Sequence, residues 1–199
     1  MNNLPLIVSF YTNDWEYPDY AARLKKDCET LNLECHIVER PTTGDYIRNT
    51  SIKPFFIRDT LEEFKRHILW IDCDGSLYQL PRELKYSQIK EYDFAARVYS
   101  GPVPRAWHVG TLWFNYNDNV KKFVNDWCER SELGTDENSF EQAWKVNQHL
   151  LTVYKLPPEY FIILNKQMPV PGPDAVVAHR LSKSPDKLKR KYANRGDKG

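Results

Sequence analysis

One stretch of the sequence, HILWIDCDG at residues 67–75, constrains the fold more than any other. Four consecutive apolar residues, 68–71, lead directly into two aspartates and a glycine. A short apolar run that ends in polar residues is typical of a central strand in an α/β sheet, buried on both faces. Because side chains alternate along a strand, we expect Asp72 and Asp74 to point to one side and Cys73 to the other.

The acidic pair indicates a cation site at the end of this strand. Ligands of open α/β sheets bind outside the carboxyl ends of the strands, where Asp72 and Asp74 would lie. Two neighbouring carboxylates repel each other unless a positive charge lies between them, and a hard divalent cation that carries substrate phosphates would supply it. The alternative interpretation is a solvated turn after a strand, since an Asp-x-Asp pair also arises by chance.

The residues before this stretch predict an alternation of strands and helices. Residues 4–11 and 33–39 are apolar enough for two strands, and the helix between them would begin near Pro18. A second helix is predicted over 52–66, with Pro54 in its first turn. The order β-α-β-α-β favours parallel strands joined by right-handed crossovers.

The second half of the chain adds shorter elements. It is predicted to contain strands at 91–99, 110–115, 160–164 and 175–178, helices at 117–132 and 136–151, and irregular connections at 41–49 and 77–90.

Composition excludes several classes of protein. No run of about 18 apolar residues is present, so we expect no transmembrane segment. The N-terminus lacks the basic region and cleavage site of a signal peptide, and the four cysteines show no C-x-x-C spacing, so we expect a cytoplasmic protein with reduced thiols. The last 20 residues carry eight basic and two acidic side chains. This basic end would suit an anionic partner, or it is simply a solvated terminus.

Several segments, taken in order, resemble a known family. They are SFYT at 9–12, IKPF at 52–55, LWIDCDG at 69–75, YDFAA at 92–96, GTLWFN at 110–115, TDE at 135–137 and AHRLSK at 178–183. Together they resemble the small nucleotide-diphospho-sugar transferases with a GT-A fold and a D-x-D motif. The resemblance implies an α/β, Rossmann-type single domain over residues 1–183, with a mixed, mostly parallel central sheet flanked by helices. Residues 184–199 would form a basic tail.

The resemblance also implies a metal site. In similar enzymes the two aspartates, here Asp72 and Asp74, hold Mn²⁺ or Mg²⁺, and a late histidine, here His179, adds a ligand. An imidazole ligand favours manganese. Without the resemblance, His179 would be interpreted as a histidine packed at the end of a strand.

Donor-binding and catalytic residues are implied in the same way. The donor-binding residues by position are Phe10, Tyr11, Thr12, Lys53, Asp72, Gly110, Thr111, Arg180 and Lys183. Asp136 and Glu137 are the candidate catalytic carboxylates. Many relatives have Asp-Gln at this point, so the stereochemical outcome stays open, and acids in a first helical turn also complement the helix dipole.

The sequence therefore predicts a metal-dependent glycosyltransferase that moves a sugar from a nucleoside diphosphate, UDP being the expected carrier, to a hydroxyl acceptor. The acceptor is either a glycan or a modified base in DNA, as in phage-type base glycosylation. A nucleotidyltransferase is one alternative, although the segment after the first strand has no glycine-rich phosphate loop. A nucleotide-sugar-binding module that has lost turnover is another.

Overall fold

A computed structural model of the chain describes residues 3–101 and 105–180, except for the side chain of Leu133. The predicted basic tail at 184–199 and the predicted donor-binding Lys183 lie outside the described residues. None of the described helices combines the length and apolar composition needed to cross a bilayer.

The fold is an α/β domain built on a six-stranded mixed sheet. The strands of this sheet are β1 (Leu6–Thr12), β2 (Cys35–Arg40), β3 (Ile68–Ile71), β5 (Phe94–Val98), β6 (Trp107–Phe114) and β7 (Val153–Lys155), in the order β2-β1-β3-β6-β5-β7. All neighbouring pairs are parallel except those made by β6, which runs against β3 and β5. The expected mixed, mostly parallel sheet is confirmed.

Helices cover both faces of the sheet. They are α1 (Tyr17–Thr30), α2 (Tyr46–Ser51), α3 (Lys53–Phe64), α4 (Tyr86–Ile89), α5 (Asp118–Glu129) and α6 (Asp136–Asn147). One core layer joins α3, α5 and α6 to the sheet, and the other contains the buried face of α1. Alternate residues of β3 serve the two layers, since Ile68 and Trp70 face the first and Leu69 and Ile71 the second. This two-sided burial is the reason that β3 reads as a continuous apolar run.

The remaining three strands are short and form a second, smaller sheet. It comprises β4 (Gly75–Leu77), β8 (Ile162–Leu164) and β9 (Val177–Arg180), in the order β4-β9-β8. The pairing of β4 with β9 sets Gly75 opposite His179. A histidine more than 100 residues downstream is thereby brought beside the acidic segment.

The sequence did not predict four of these elements. Residues 41–49 were expected to be irregular, yet α2 begins inside them, with the Asp45 side chain accepting a hydrogen bond from the Arg48 backbone N–H at 2.8 Å. Residues 77–90 were also expected to be irregular, but the four-residue helix α4 lies inside them. The short strands β4 and β7 lack an apolar run of their own. β7 is a strand because it pairs with residues 94–96 of β5.

Candidate active site

Asp72 and Asp74 lie in a tight turn between β3 and β4. The Asp72 N–H donates to the carbonyl of Gly110 at 2.9 Å, and the Gly75 N–H donates to the carbonyl of Asp72 at 2.7 Å. A Cβ at position 75 would lie only 2.5 Å from Cγ2 of Ile71, so the turn requires a glycine there. The strand ends at Ile71, so this turn, and not strand alternation as we expected, is what directs Asp72 and Asp74 toward the same two pockets.

Lys53 connects this turn to the start of α6. Its side chain is 4% exposed, and its Nζ forms ion pairs with Asp72 Oδ1 at 2.7 Å and with Asp136 Oδ2. The third ammonium donor reaches the carbonyl of Val109 at 3.3 Å. Burial acts to lower the pKa of Lys53, but the two carboxylates raise it above its ordinary value. Lys53 therefore stays charged, with all three of its donors directed at protein groups.

The two carboxylates on Lys53 differ in their proton affinity. Burial raises the pKa of Asp136 to about 6, with Asp72 and Glu137 acting in the same direction and Lys53 opposing them. Burial also acts to raise the pKa of Asp72, but Lys53, His179 and the Trp70 indole N–H, which donates to Oδ1 at 2.9 Å, hold it below its usual value. Asp72 is therefore an anion with Oδ1 already engaged.

A first pocket opens at the carboxyl ends of β1 and β3. Five of the predicted donor-binding residues line it, namely Phe10, Tyr11, Thr12, Lys53 and Asp72. Four other residues of the pocket are Cys73, Asp74, Asp136 and Glu137. The Phe10 ring also packs against Phe56 and Trp70, with centroids 5.6 and 5.5 Å apart, so it belongs partly to the core.

A second pocket lies beside the first, against β6 and the smaller sheet. It is lined by Asp72, Asp74, Tyr99, Arg105, Trp107, His108, Val109, Gly110, Glu137, Phe161, Ile163, His179 and Arg180. The two pockets share Asp72, Asp74 and Glu137, whereas Asp136 lines the first alone. A molecule in either pocket would therefore touch the same three carboxylates.

The remaining predicted residues take different positions. Thr111 is fully buried and lines neither pocket; its hydroxyl lies 2.8 Å from Nε2 of His179. Gly110 lines the second pocket, and its lack of a side chain admits Phe161, whose Cε2 would lie 2.7 Å from a Cβ there. Arg180 lines the second pocket and has an exposed side chain, and its backbone N–H donates to the carbonyl of Asp74 at 3.1 Å.

The predicted metal ligands are close together but do not form a ready cage. Within residues 3–101 and 105–180, no three His, Cys, Asp or Glu side chains are arranged to hold a metal ion. The donor chemistry fits a hard cation, because no described hydrogen bond uses Oδ2 of Asp72 and Asp74 faces the same pocket. Nε2 of His179 is hydrogen-bonded to the Thr111 hydroxyl, and its Nδ1 lies 3.4 Å from Oδ1 of Asp74. His179 would therefore bind a metal only if one of these two contacts were given up.

Sequence reasoning missed Trp15. This residue lines the first pocket, is 44% exposed, and has a left-handed backbone (φ 58°), which is rare for a bulky residue. A large aromatic side chain in the polar break after β1 was the available signal. The unexpected helix α2 was also missed, although Tyr46, Asn49 and Thr50 on it line the same pocket.

Comparison by sequence identifies no relatives: neither a family model nor a curated protein matches the chain. Comparison by structure does. A glycosyltransferase involved in the glycosylation of the major capsid of PBCV-1 matches 96% of this chain at 14% identity and a TM-score of 0.60, and the match spans 100% of that enzyme. The apo form of the glycosyltransferase GlyE of Streptococcus pneumoniae matches 96% of the chain at 12% identity and a TM-score of 0.61, and the match spans 60% of GlyE. Mouse xyloside xylosyltransferase 1 matches 91% of the chain at 9% identity and a TM-score of 0.52. The chain therefore has the fold of GT-A-like glycosyltransferases.

Proposed function

We propose that this protein is a glycosyltransferase that moves a sugar from a nucleoside diphosphate to a hydroxyl acceptor. UDP is the proposed nucleoside diphosphate. The observation that carries the proposal is the meeting of two pockets at Asp72, Asp74 and Glu137. A transferase must hold two substrates with their reacting atoms in contact. Two adjoining pockets with a common acidic boundary meet that requirement, and the solved structures of the same fold support the reaction class.

The first pocket is proposed to hold the nucleoside diphosphate. Its outer side has the exposed Trp15 and half-buried Tyr11, which offer aromatic surface for a base. Its inner side has the acidic turn. Asp72 and Asp74 would hold Mn²⁺ or Mg²⁺, with His179 as a third ligand. When bound, the cation would stabilise the negative charge that develops on the diphosphate leaving group.

The chain's own residues would complete the transfer. The acceptor hydroxyl attacks the anomeric carbon, the bond from that carbon to the diphosphate oxygen breaks, and the nucleoside diphosphate leaves with the electron pair. We assign the departing hydroxyl proton to Glu137, because this carboxylate faces both pockets whereas Asp136 is buried against Lys53. Lys53 would position Asp72 and Asp136 rather than contact the donor.

Calorimetric titration of UDP with and without Mn²⁺, followed by an assay of UDP-sugar hydrolysis, tests the proposal. We expect binding that depends on Mn²⁺, slow donor hydrolysis, and loss of both in Asp74→Asn. An exposed acid outside both pockets, altered in Glu132→Gln, is the control and should leave both unchanged. Binding without hydrolysis or transfer would favour a non-catalytic module, and no binding of UDP, GDP or other nucleotides would refute the proposal.

A further inference from the structure

Part of the wall of the second pocket is a row of four aromatic rings drawn from both sheets. Tyr99 follows β5, His108 lies on β6, Phe161 precedes β8, and His179 lies on β9. The centroids of successive rings are 4.8, 4.1 and 4.6 Å apart, and His108 stacks on Phe161 with an angle of only 23° between the planes. Since each ring packs against its neighbours, the row offers less free ring face than four separate rings would.

The rest of the pocket combines apolar and hydrogen-bonding groups. Ile163 extends the apolar wall and is 38% exposed. Asp74 and Glu137 provide carboxylate acceptors, and Arg105 provides guanidinium donors. A sugar ring has the matching composition, with C–H groups that pack on apolar surface and hydroxyls that both donate and accept hydrogen bonds. Pockets of this kind bind small amphipathic molecules.

The charges of the pocket argue against a nucleic acid. Arg105 is paired with Glu137, its Nη1 lying 3.0 Å from Oε2. Among the pocket's described side chains, Arg180 is the one cation without an ion pair. A nucleic-acid groove neutralises several phosphates and offers open aromatic faces on which bases stack. Among its described residues the pocket has one unpaired cation, and its rings pack against each other.

We propose that the second pocket binds a neutral saccharide as the acceptor, with its C–H groups against Phe161 and Ile163 and the reacting hydroxyl beside Glu137. The acceptor role rests on the function proposed above. Saccharide binding itself does not rest on that function, because it depends on the row of four rings and on Ile163 rather than on the first pocket. The proposal chooses the glycan over the modified DNA base.

Saturation-transfer NMR on the full chain tests this assignment. The methyl β-glycosides of glucose, galactose and N-acetylglucosamine serve as test compounds, and a 12-residue oligothymidylate is the competing ligand. We expect magnetisation transfer to the ring protons of at least one glycoside. Phe161→Leu, which keeps an apolar side chain of similar bulk, and Phe161→Ala should weaken binding about fivefold or more. Tyr78→Ala, which removes a 39% exposed aromatic side chain outside the pocket, should leave it unchanged.

Each other result overturns the assignment. These are no transfer to any glycoside, glycoside binding that both Phe161 variants retain, or displacement of the glycoside by oligothymidylate. The UDP titration separates this failure from failure of the proposed function. If UDP binds and the glycosides do not, only the saccharide assignment fails. If the glycosides bind and no nucleotide does, the saccharide site stands and its acceptor role falls with the proposed function.

Discussion

Lys53 Nζ lies 2.7 Å from Oδ1 of Asp72, although Lys53 begins a helix and Asp72 follows a strand. A cation in the first turn of a helix is unfavourable beside the positive end of the helix dipole unless an anion compensates it. Here two anions do so, because Asp136 approaches the same ammonium group. The buried lysine therefore fixes the acidic turn relative to the start of α6.

Removing this lysine should destabilise the protein strongly. In Lys53→Met, Asp72 and Asp136 lose their shared partner inside the protein, and we expect the free energy of unfolding to fall by about 3–5 kcal/mol. Urea denaturation measures the change. The double variant Lys53→Met with Asp136→Asn should recover part of the lost unfolding free energy, because it also removes one of the two carboxylates that are left without the lysine. A loss below about 1 kcal/mol in the single variant would contradict the buried ion pairs.

The Trp70 indole should matter for the site more than for the fold. Trp70→Phe removes the N–H that donates to Asp72 Oδ1, and we expect Mn²⁺-dependent UDP binding to weaken about tenfold or more, the equivalent of one hydrogen bond to a charged group. Trp113→Phe is the matched control, since its indole donates to Nδ1 of His67 at 3.2 Å and neither residue lines one of the two pockets. If the two variants weakened binding equally, the hydrogen bond from Trp70 would have no specific role in UDP binding.

A methyl group at position 110 should distort the second pocket. Its Cβ would lie 2.7 Å from Cε2 of Phe161 and 3.2 Å from both Oδ2 of Asp72 and Cε1 of His179. We expect Gly110→Ala to cost about 1–3 kcal/mol of stability and to weaken glycoside binding. Gly172→Ala is the control, because a Cβ there meets nothing within 4 Å. Wild-type stability and binding in Gly110→Ala would contradict the close packing of Phe161 on this backbone.

Stability should fall in weak acid because of His67. Burial lowers the pKa of His67 to about 4, with Arg66 acting in the same direction, against about 6.5 in an unfolded chain. Between pH 6.5 and 4 the unfolded chain therefore binds a proton that the folded protein does not, and the free energy of unfolding decreases by about 2–3 kcal/mol as the pH falls. Below pH 4 this contribution is lost completely.

Comparison with His67→Gln isolates that effect. The glutamine keeps a polar group near the Trp113 indole but does not titrate, so its stability should depend less on pH across this interval. Burial also lowers the pKa of His108 to about 4, but His108 is present in both proteins and its effect cancels in the difference. Parallel stability profiles for the two proteins from pH 4 to 7 would contradict the prediction.

Trp15 should contribute to nucleotide binding rather than to stability. Its side chain is exposed at the first pocket, so Trp15→Ala is expected to weaken UDP binding about tenfold, consistent with the loss of one stacked base, while the unfolding free energy changes little. Trp15→Phe should retain most of the affinity. Calorimetry of the two variants measures both effects, and wild-type affinity in the alanine variant would exclude the base from this position.

Local sequence patterns predicted the main elements because buried surfaces impose their periodicity on the chain. The helical spacing of Val120, Phe123, Val124 and Trp127 is confirmed, and all four are buried on α5. Residues 68–71 are buried on both faces and form β3. The elements that were missed, α2, α4, β4 and β7, are short, and the two strands depend on backbone partners far away in sequence.

The sequence by itself determined the order of the main strands and helices and the presence of two acidic residues after β3, since these depend on the hydrophobic periodicity of neighbouring residues. Only the tertiary structure decided that Lys53 joins Asp72 to Asp136, that Glu137 faces two pockets, and that rings from four separate segments pack in a row. The physical reason is that charge pairing, burial and ring stacking act between residues that the chain path brings together, and no local pattern records those distances.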